Sequence, residues 1–137
     1  MKVSIIIPCY NQAHFLHESI QSALAQTYSD IEIIVVNDGS PDDTSRVVIQ
    51  MIESVKNNIT IILIEKPNGG LSSARNAGIA AATGTYILPL DADDKIHPDF
   101  IKKTIGKSDI VSTFLQCFGN SKDVWKPRMT SPTYKDF

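Results

Sequence analysis

Short apolar runs alternate with amphipathic stretches between Val3 and Ile105. The runs are rich in β-branched residues and bounded by turn formers, which is typical of buried strands. Four strands are predicted, over Val3 to Ile7, Ile31 to Val36, Thr60 to Ile64 and Tyr86 to Leu90. Between the strands, apolar residues recur at helical spacing, which predicts helices. Three of these helices cover Ala13 to Gln26, Leu71 to Ala82 and Pro98 to Ile105. A further helix, second in chain order, begins at Asp42, Asp43 and Thr44, and its apolar face consists of Val47, Val48, Met51 and Ile52.

Strands that are apolar almost throughout and alternate with helices favour a parallel sheet covered on both faces. The expected fold class is therefore α/β, a three-layer α/β/α sandwich with a mainly parallel sheet. Asp109 to Phe118 is predicted as a fifth strand. We place a domain boundary after Phe118, with residues 1–118 forming the α/β domain and residues 119–137 forming the start of a further region or a loose tail.

Composition limits the classes of function. A chain of 137 residues is long enough for one domain with a sizeable core. Its formal net charge of -2 gives no reason to expect nucleic acid as a partner. Cys9 and Cys117 are too few for a disulfide framework, so free thiols in a reducing cytoplasm are expected. Because no apolar stretch reaches the length of a membrane span, a soluble cytoplasmic protein is predicted.

Residues able to bind a ligand follow three of the predicted strands. They are Pro8, Tyr10 and Asn11 after the first strand, Asp38 after the second, and Asp91, Asp93 and Asp94 after the fourth. In parallel sheets the carboxyl ends of the strands meet at one edge, and ligands bind beyond that edge where the strand order reverses. The sequence therefore predicts a binding site there.

Asp91, Asp93 and Asp94 place three carboxylates directly after a strand. A divalent cation relieves their mutual repulsion, and hard cations such as Mg2+ and Mn2+ prefer oxygen ligands. Asp-x-Asp in this position therefore indicates a metal that holds a phosphorylated substrate. The alternative is a solvated turn that caps the next helix.

Four other features each have competing interpretations. Asp38 either completes a turn or accepts a hydrogen bond from an N–H of uracil or guanine. Tyr10 is either a core residue or a ring on which a base stacks. Arg75, on the third predicted helix, pairs either with a diphosphate or with an acidic neighbour. Gly69 and Gly70 let their loop lie close to a phosphate, a sugar or a neighbouring segment of the chain.

Several common sites are poorly supported. GxGxxG is absent after the first strand, which disfavours a nicotinamide cofactor, and the absence of GxxxxGK[ST] disfavours a P-loop. His14, His17 and His97 lack the spacing of metal ligands. No order of Ser, His and Asp along the chain indicates a catalytic triad.

Five segments together resemble family 2 glycosyltransferases of the GT-A fold. In chain order they are Val3 to Asn11, Ser22 to Tyr28, Glu32 to Ser40, Asn68 to Gly78 with Gly84 to Ile87, and Leu90 to Asp94. The resemblance covers Val3 to Val111. It implies transfer of a sugar, with inversion, from a nucleotide-diphosphate donor to an acceptor hydroxyl. The donor would by default be a UDP-sugar, with GDP or dTDP as alternatives.

The resemblance also implies roles for the candidate residues. The implied donor-binding residues are Pro8, Tyr10, Asn11, Asp38, Arg75, Asp91 and Asp93, and the implied metal residues are Asp93 and Asp91. Asp38 would accept from the imide of the base, beside Pro8 and Tyr10, and Arg75 would approach the nucleotide. Asp91 would contact the ribose or a metal-bound water, and Asp93 would ligate Mn2+ or Mg2+. That cation would bridge the diphosphate and stabilise the leaving group.

The resemblance stops short of a catalytic base. Inversion needs a general base to take the acceptor's proton, and the family carries that carboxylate downstream of the metal motif. Asp123 and Asp136 lie downstream, but neither stands in a recognisable version of the base motif. The expectation is a donor-binding half that lacks the base and in isolation binds donor without transferring sugar. The acceptor would be a saccharide, a lipid-linked sugar or a protein, and a lipid-linked acceptor would bring the protein to the inner face of the membrane.

Two other functions remain open at this point. A non-catalytic nucleotide-sugar-binding module is favoured by the missing base. A nucleotidyltransferase uses a related α/β sheet and carboxylate-bound Mg2+. It would normally show a glycine-rich, basic segment after the first strand, where this chain has Pro8 to Asn11.

Overall fold

The structure is a computed structural model that describes residues 1–55, 58–109, 111, 115–116 and 124–125. Within these ranges strands and helices alternate as the hydrophobic pattern predicts. The elements are β1 Val3–Cys9, α1 Ala13–Leu24, β2 Ile31–Asn37, α2 Thr44–Ser54, β3 Thr60–Glu65, α3 Leu71–Ala81, β4 Tyr86–Pro89, α4 Phe100–Thr104, β5 Leu115–Gln116 and β6 Val124–Trp125. The chain forms two compact units, Met1–Lys103 and Thr104–Phe137.

In the first unit, four parallel strands form a sheet in the order β3-β2-β1-β4. Every residue of β1 and β2 is buried, because these central strands are covered on both faces. Helix α3 packs against β1 and β2, whereas α1 and α2 pack against each other, with α1 contacting β1 and α2 contacting β2 and β3. The predicted α/β class and parallel sheet are confirmed. In the second unit, β5 and β6 pair antiparallel.

The core between α3 and the sheet contains a cluster of four buried residues, Ile6, Ile34, Val36 and Ala74. Gly78 lets the helix approach this cluster closely. A Cβ atom at Gly78 would lie 2.4 Å from Ile6 Cγ2 and 3.2 Å from Val36 Cγ2, far inside ordinary contact distance. The close approach holds the amino end of α3 at the carboxyl edge of the sheet, where the candidate residues lie.

Several predicted boundaries and faces were wrong. Helix α1 ends at Leu24, and Gln26 instead donates its side-chain amide to the carbonyls of Ser22 and His97. Ile52 was predicted to lie on the apolar face of α2 but is 40% exposed. The buried stripe of α2 is narrow, consisting of Thr44, Val48 and Met51, and Ile52 lies beyond its edge at the 100° rotation of each helical residue. Strand β1 runs through Pro8 to Cys9, and helix α4 is shorter than predicted.

Some predictions fall outside the described residues. Of the predicted fifth strand, Asp109 and Val111 are described and lie outside any strand, so the prediction is wrong at its start, whereas Leu115–Gln116 form β5. The other residues of that prediction lie outside the described ranges, and so do the boundary after Phe118, the thiol of Cys117, and the carboxylates Asp123 and Asp136. The domain boundary therefore stays a prediction. Among the residues that the structure describes, no helix is both long and apolar enough to cross a membrane.

Candidate functional site

The first part of the site is the end of β1, where Pro8 closes the ladder to β4. The Leu90 N–H donates to the Ile6 carbonyl at 2.9 Å. In a parallel ladder the backbone N–H and carbonyl groups of every second residue point to the same neighbouring strand, so those of Ile6 point towards β4. Pro8 faces the same way but has no N–H to continue the ladder. The β1–β4 pairing accordingly ends at Ile6, whereas the β1–β2 pairing continues to Cys9. The two strands therefore separate at the reversal of strand order, which is where α/β sheets bind ligands.

The turn after β1 is held to the turn after β2. Asn11 adopts a positive φ of 54°, and its N–H donates to Ser40 Oγ at 3.1 Å. Ser40 Oγ in turn donates to the Cys9 carbonyl at 3.3 Å, so Ser40 braces the turn rather than capping α2. Tyr10, between these residues, is 50% exposed. The interpretation of Tyr10 as a core residue is wrong, and its ring is available at the surface.

Asp38, directly after β2, is buried and forms the centre of a hydrogen-bonded cluster. Its Oδ1 accepts from Lys66 Nζ at 2.5 Å and from the Gly69 N–H at 3.0 Å. Its Oδ2 accepts from the Gly70 N–H at 2.8 Å and, more weakly, from the Gly69 N–H at 3.2 Å. The Lys66 bond is the main reason that the pKa of Asp38 lies below its ordinary value, with burial opposing it and the two glycine N–H groups assisting. Asp38 is therefore an anion that holds the loop before α3, and Gly69 and Gly70 approach a carboxylate of their own chain.

A cavity of 380 Å³ lies beside this cluster. Its volume falls within the range of about 300–1,000 Å³ that is typical of small-molecule sites. Three of the predicted donor-binding residues line it, namely Pro8, Tyr10 and Asp38. The other lining residues are Cys9, Gln12, Asn68, Gly70, Leu71 and Ala74. The other predicted residues, Asn11, Arg75, Asp91 and Asp93, are not part of its lining. The cavity therefore combines a half-exposed aromatic ring with a buried carboxylate.

Arg75 lies on α3, next to the cavity, and its side chain contacts a carboxylate that follows β4. It follows Ala74, which lines the cavity, and its guanidinium Nη2 donates to Asp91 Oδ1 at 2.6 Å. Of the two predicted partners for Arg75, the structure therefore has the acidic neighbour. The Arg75 Nε atom is buried and has no hydrogen-bond partner within the described part of the chain. A buried N–H without a partner is unusual, and an oxygen of a ligand would satisfy it.

The carboxylates after β4 fit a hard divalent cation by their chemistry. Asp93 and Asp94 are exposed, and the Asp91 side chain is 43% exposed. The carboxyl group of Asp94 is nevertheless partly buried, which raises its pKa above the ordinary value, and the neighbouring charges of Asp93 and Asp91 raise it further. A cation would relieve this repulsion. Mg2+ is commonly bound by one or two carboxylates together with substrate phosphates, and Asp91 and Asp93 can supply those carboxylates. Across residues 1–55, 58–109, 111, 115–116 and 124–125, no three His, Cys, Asp or Glu side chains form a metal-binding group.

Lys66 is the main residue that the sequence analysis missed. Strands β2 and β3 pair in parallel up to Asn37 opposite Glu65, so the next residues, Asp38 and Lys66, leave the sheet side by side. An acidic and a basic residue at equivalent ends of adjacent strands are a signal of an ion pair. The signal becomes visible only when the register of β2 and β3 is known.

Comparison with known proteins gives the family. The chain matches the sequence model of glycosyl transferase family 2 over residues 4–133. It is 52% identical over 94 residues to an uncharacterized glycosyltransferase, EpsJ, of Bacillus subtilis (strain 168), a match that covers 69% of this chain and 26% of EpsJ. The chain therefore spans about a quarter of the length of this curated relative.

Two solved structures are similar to this chain. The structure of S. aureus TarS 1–349 in complex with UDP-GlcNAc has a TM-score of 0.65 and 31% identity, covering 75% of this chain and 30% of that one. The mannosyltransferase PcManGT from Pyrobaculum calidifontis, in complex with GDP-Man and Mn2+, has a TM-score of 0.64 and 29% identity, covering 68% and 28%. These neighbours are of the GT-A type, which confirms the predicted fold class. The family match over residues 4–133 and these likenesses show that the chain belongs to glycosyl transferase family 2.

Proposed function

We propose that this chain binds the nucleotide-diphosphate donor, a UDP-sugar, of a metal-dependent and inverting sugar transfer. One observation carries the proposal. A cavity with an exposed ring and a buried carboxylate lies beside an arginine that links it to the acidic residues after β4. The cavity suits a nucleobase, the arginine suits a diphosphate, and the acidic residues suit a cation, which is the order of these parts along a metal-bound donor.

The base would occupy the cavity. Tyr10 offers a half-exposed ring for stacking, and base–aromatic stacking contributes about 1–3 kcal/mol. Asp38 offers an ionised carboxylate, which accepts hydrogen bonds and cannot donate them. Pro8 lines the cavity with them, and the Asn11 N–H, by donating to Ser40, holds the turn that carries Tyr10.

The diphosphate would lie towards Arg75, whose unpartnered Nε can donate to a phosphate oxygen. Asp91 would contact the ribose or a metal-bound water, and Asp93 with Asp91 would hold Mg2+ or Mn2+. The cation, when bound, would neutralise charge that develops on the leaving diphosphate. In the transfer, the acceptor oxygen bonds to the sugar's anomeric carbon while the bond from that carbon to the diphosphate oxygen breaks. The nucleoside diphosphate leaves, and the acceptor proton passes to a general base.

The similar structures support the donor class. TarS was solved with UDP-GlcNAc, and PcManGT was solved with GDP-Man and Mn2+. The chain spans only part of the length of its relatives, and we propose that it supplies the donor site without the general base and the acceptor contacts. The acceptor class we propose comprises saccharides, lipid-linked sugars and proteins, and a lipid-linked acceptor would bring the protein to a membrane surface without a span.

Isothermal titration of UDP, with and without Mn2+, tests the proposal on the 137-residue chain. We expect Mn2+ to strengthen UDP binding by about tenfold or more, which corresponds to about 1.4 kcal/mol. Asp93→Asn should abolish that effect because the amide removes the ligand's charge. Asp30→Asn is a matched control, since Asp30 is a 55% exposed carboxylate before β2, at the opposite edge of the sheet.

Two results would contradict the proposal in different ways. If neither UDP, GDP nor dTDP binds with or without Mn2+, the donor assignment is wrong. If UDP binds and Mn2+ strengthens binding equally in Asp93→Asn and the unmodified chain, the donor assignment stands and the metal role of Asp93 is wrong.

A further inference from the structure

Three polar side chains, Ser19, Ser22 and Gln26, connect α1 to the segment that follows β4. Ser19 and Ser22 lie one turn apart on α1, and Gln26 follows just beyond the end of that helix. Ser19 is fully buried and Gln26 is 8% exposed, so both side chains need hydrogen-bond partners. Each of the three side chains has a partner within residues 91–101. The polar side of α1 therefore faces the segment that begins with the candidate metal residues.

The two serines hold the main chain of the carboxylate turn, residues 91–94, and of the residues after it. Ser19 Oγ donates to the Asp91 carbonyl at 3.2 Å. Ser22 Oγ accepts from the Ile96 N–H at 3.2 Å, and it donates to the Ser19 carbonyl at 2.8 Å, which orients the hydroxyl. The carboxylate turn is thus fixed to α1 at its first residue and again just past its last.

These contacts use the backbone of the carboxylate turn and not its acidic side chains. The Asp94 N–H closes the turn by donating to the Asp91 carbonyl at 3.0 Å, and Ala92 is fully buried. The side chains of Asp93 and Asp94 are exposed. Carboxylates this close repel one another, and a turn held only by the end of β4 would let them separate. The hydrogen bonds to α1 oppose that separation while leaving carboxylate oxygens for a ligand.

We propose that Ser19 and Ser22 are positioning residues for the divalent cation, because they hold the backbone of Asp91 and Asp93 in place before the cation binds. This inference rests on the proposed function, in which those two carboxylates hold Mg2+ or Mn2+. Ligands whose backbone is already ordered lose less conformational freedom on binding. Groups that orient the ligands of a metal typically change its affinity by about 10–100-fold when they are removed. The two hydroxyls should therefore control how strongly the cation supports nucleotide binding.

The test is the factor by which Mn2+ strengthens UDP binding, measured by isothermal titration on the unmodified chain, Ser19→Ala, Ser22→Ala and Ser22→Thr. Ser54→Ala is a matched control, because Ser54 Oγ donates to the carbonyl three residues before it, as Ser22 Oγ does, but lies on α2. We expect each of Ser19→Ala and Ser22→Ala to reduce the Mn2+ factor about tenfold and to leave UDP binding without Mn2+ unchanged. Ser22→Thr keeps the hydroxyl and should retain the factor, as should Ser54→Ala.

A purely structural role of the two serines would lower the free energy of unfolding and leave the Mn2+ factor as it is. An unchanged factor in both Ser19→Ala and Ser22→Ala therefore overturns the inference, while the response of the unmodified chain to Mn2+ upholds the proposed function. If Mn2+ does not strengthen UDP binding by the unmodified chain, the metal part of the proposed function is wrong and the inference is overturned with it.

Amide hydrogen exchange on the unmodified chain gives a second test that needs no variant to fold. The carboxylate turn is held before the cation binds, so we expect the Asp94 and Ile96 N–H groups to be protected from exchange in the absence of Mn2+ and UDP. Protection of both groups under these conditions supports the inference. Rapid exchange of both, slowed only when Mn2+ and UDP are added, overturns it because the cation would then order the turn itself.

Discussion

Glu32 is a buried carboxylate near the amino end of β2, only 2% exposed, in a strand that is otherwise apolar except at its last residue. It accepts four hydrogen bonds, from Lys2 Nζ at 2.6 Å, Ser4 Oγ at 2.5 Å, the Thr83 N–H at 2.7 Å and Thr83 Oγ1 at 2.8 Å. These donors match the four acceptor positions of a carboxylate. Glutamine offers one oxygen and an NH2 group, so donors would face donors. We therefore expect Glu32→Gln to lower the free energy of unfolding.

The pKa of Glu32 indicates the size of the effect. Burial acts to raise this pKa, but the hydrogen bonds from Lys2, Ser4 and Thr83 outweigh burial and lower it from 4.5 to about 2. A shift of this size corresponds to about 3 kcal/mol. The Lys2 side chain is 35% exposed, so solvent screens part of its interaction. We expect a loss of about 2 kcal/mol, below the range of about 3–5 kcal/mol for breaking a fully buried ion pair.

The effect also depends on pH in a defined direction. Because folding lowers the pKa of Glu32, the stabilisation is present above its ordinary value of 4.5 and is lost as the pH falls through about 2. Urea unfolding at about pH 7 and about pH 3 measures this, with Glu53→Gln, at an exposed position on α2, as the control. The loss in Glu32→Gln should be smaller at the lower pH. Equal losses in the two glutamate variants at neutral pH would refute the reasoning.

Two further predictions concern α3 and the cavity. Gly78→Ala should lower the free energy of unfolding, measured by urea-induced unfolding, by about 1–3 kcal/mol, because the new methyl group meets Ile6 and Val36 in the core. Helix propensity alone predicts a gain of about 1 kcal/mol, so a gain would contradict the packing argument. Tyr10→Ala should weaken UDP binding about tenfold in a titration and leave the unfolding midpoint unchanged, because the ring is half exposed. Tyr10→Phe should bind like the unmodified chain, and equal binding by the alanine variant would exclude stacking.

The strands of the first unit could be predicted because a buried strand is a short run of consecutive apolar residues, which the sequence shows directly. Ile31 to Val36 was predicted as a strand, and β2 is Ile31–Asn37. Strands buried on both faces must be apolar at consecutive positions, so the pattern survives without knowledge of the fold. Helix faces were less predictable. Ile52 is apolar yet exposed, because a helix periodicity does not reveal how wide a stripe its neighbours cover.

The candidate site was predictable in its location and less so in its contacts. Parallel strands bring their carboxyl ends to one edge, so Tyr10 and Asp38 were expected near each other, and both line the cavity. The partners of Asp38 were not expected. Lys66 is 28 positions away along the chain, and the two residues meet only through the register of β2 and β3.

Local patterns along the chain are thus sufficient for the α/β class, the order of the elements, the family and the edge of the sheet at which the candidate residues lie. Side-chain partnerships are a property of the folded molecule. Arg75 pairs with Asp91, Asp38 is held by Lys66, and the charge of Glu32 is buried inside an apolar strand. Each contact joins segments that are distant in sequence, and its strength depends on distances of about 3 Å that packing and strand register set.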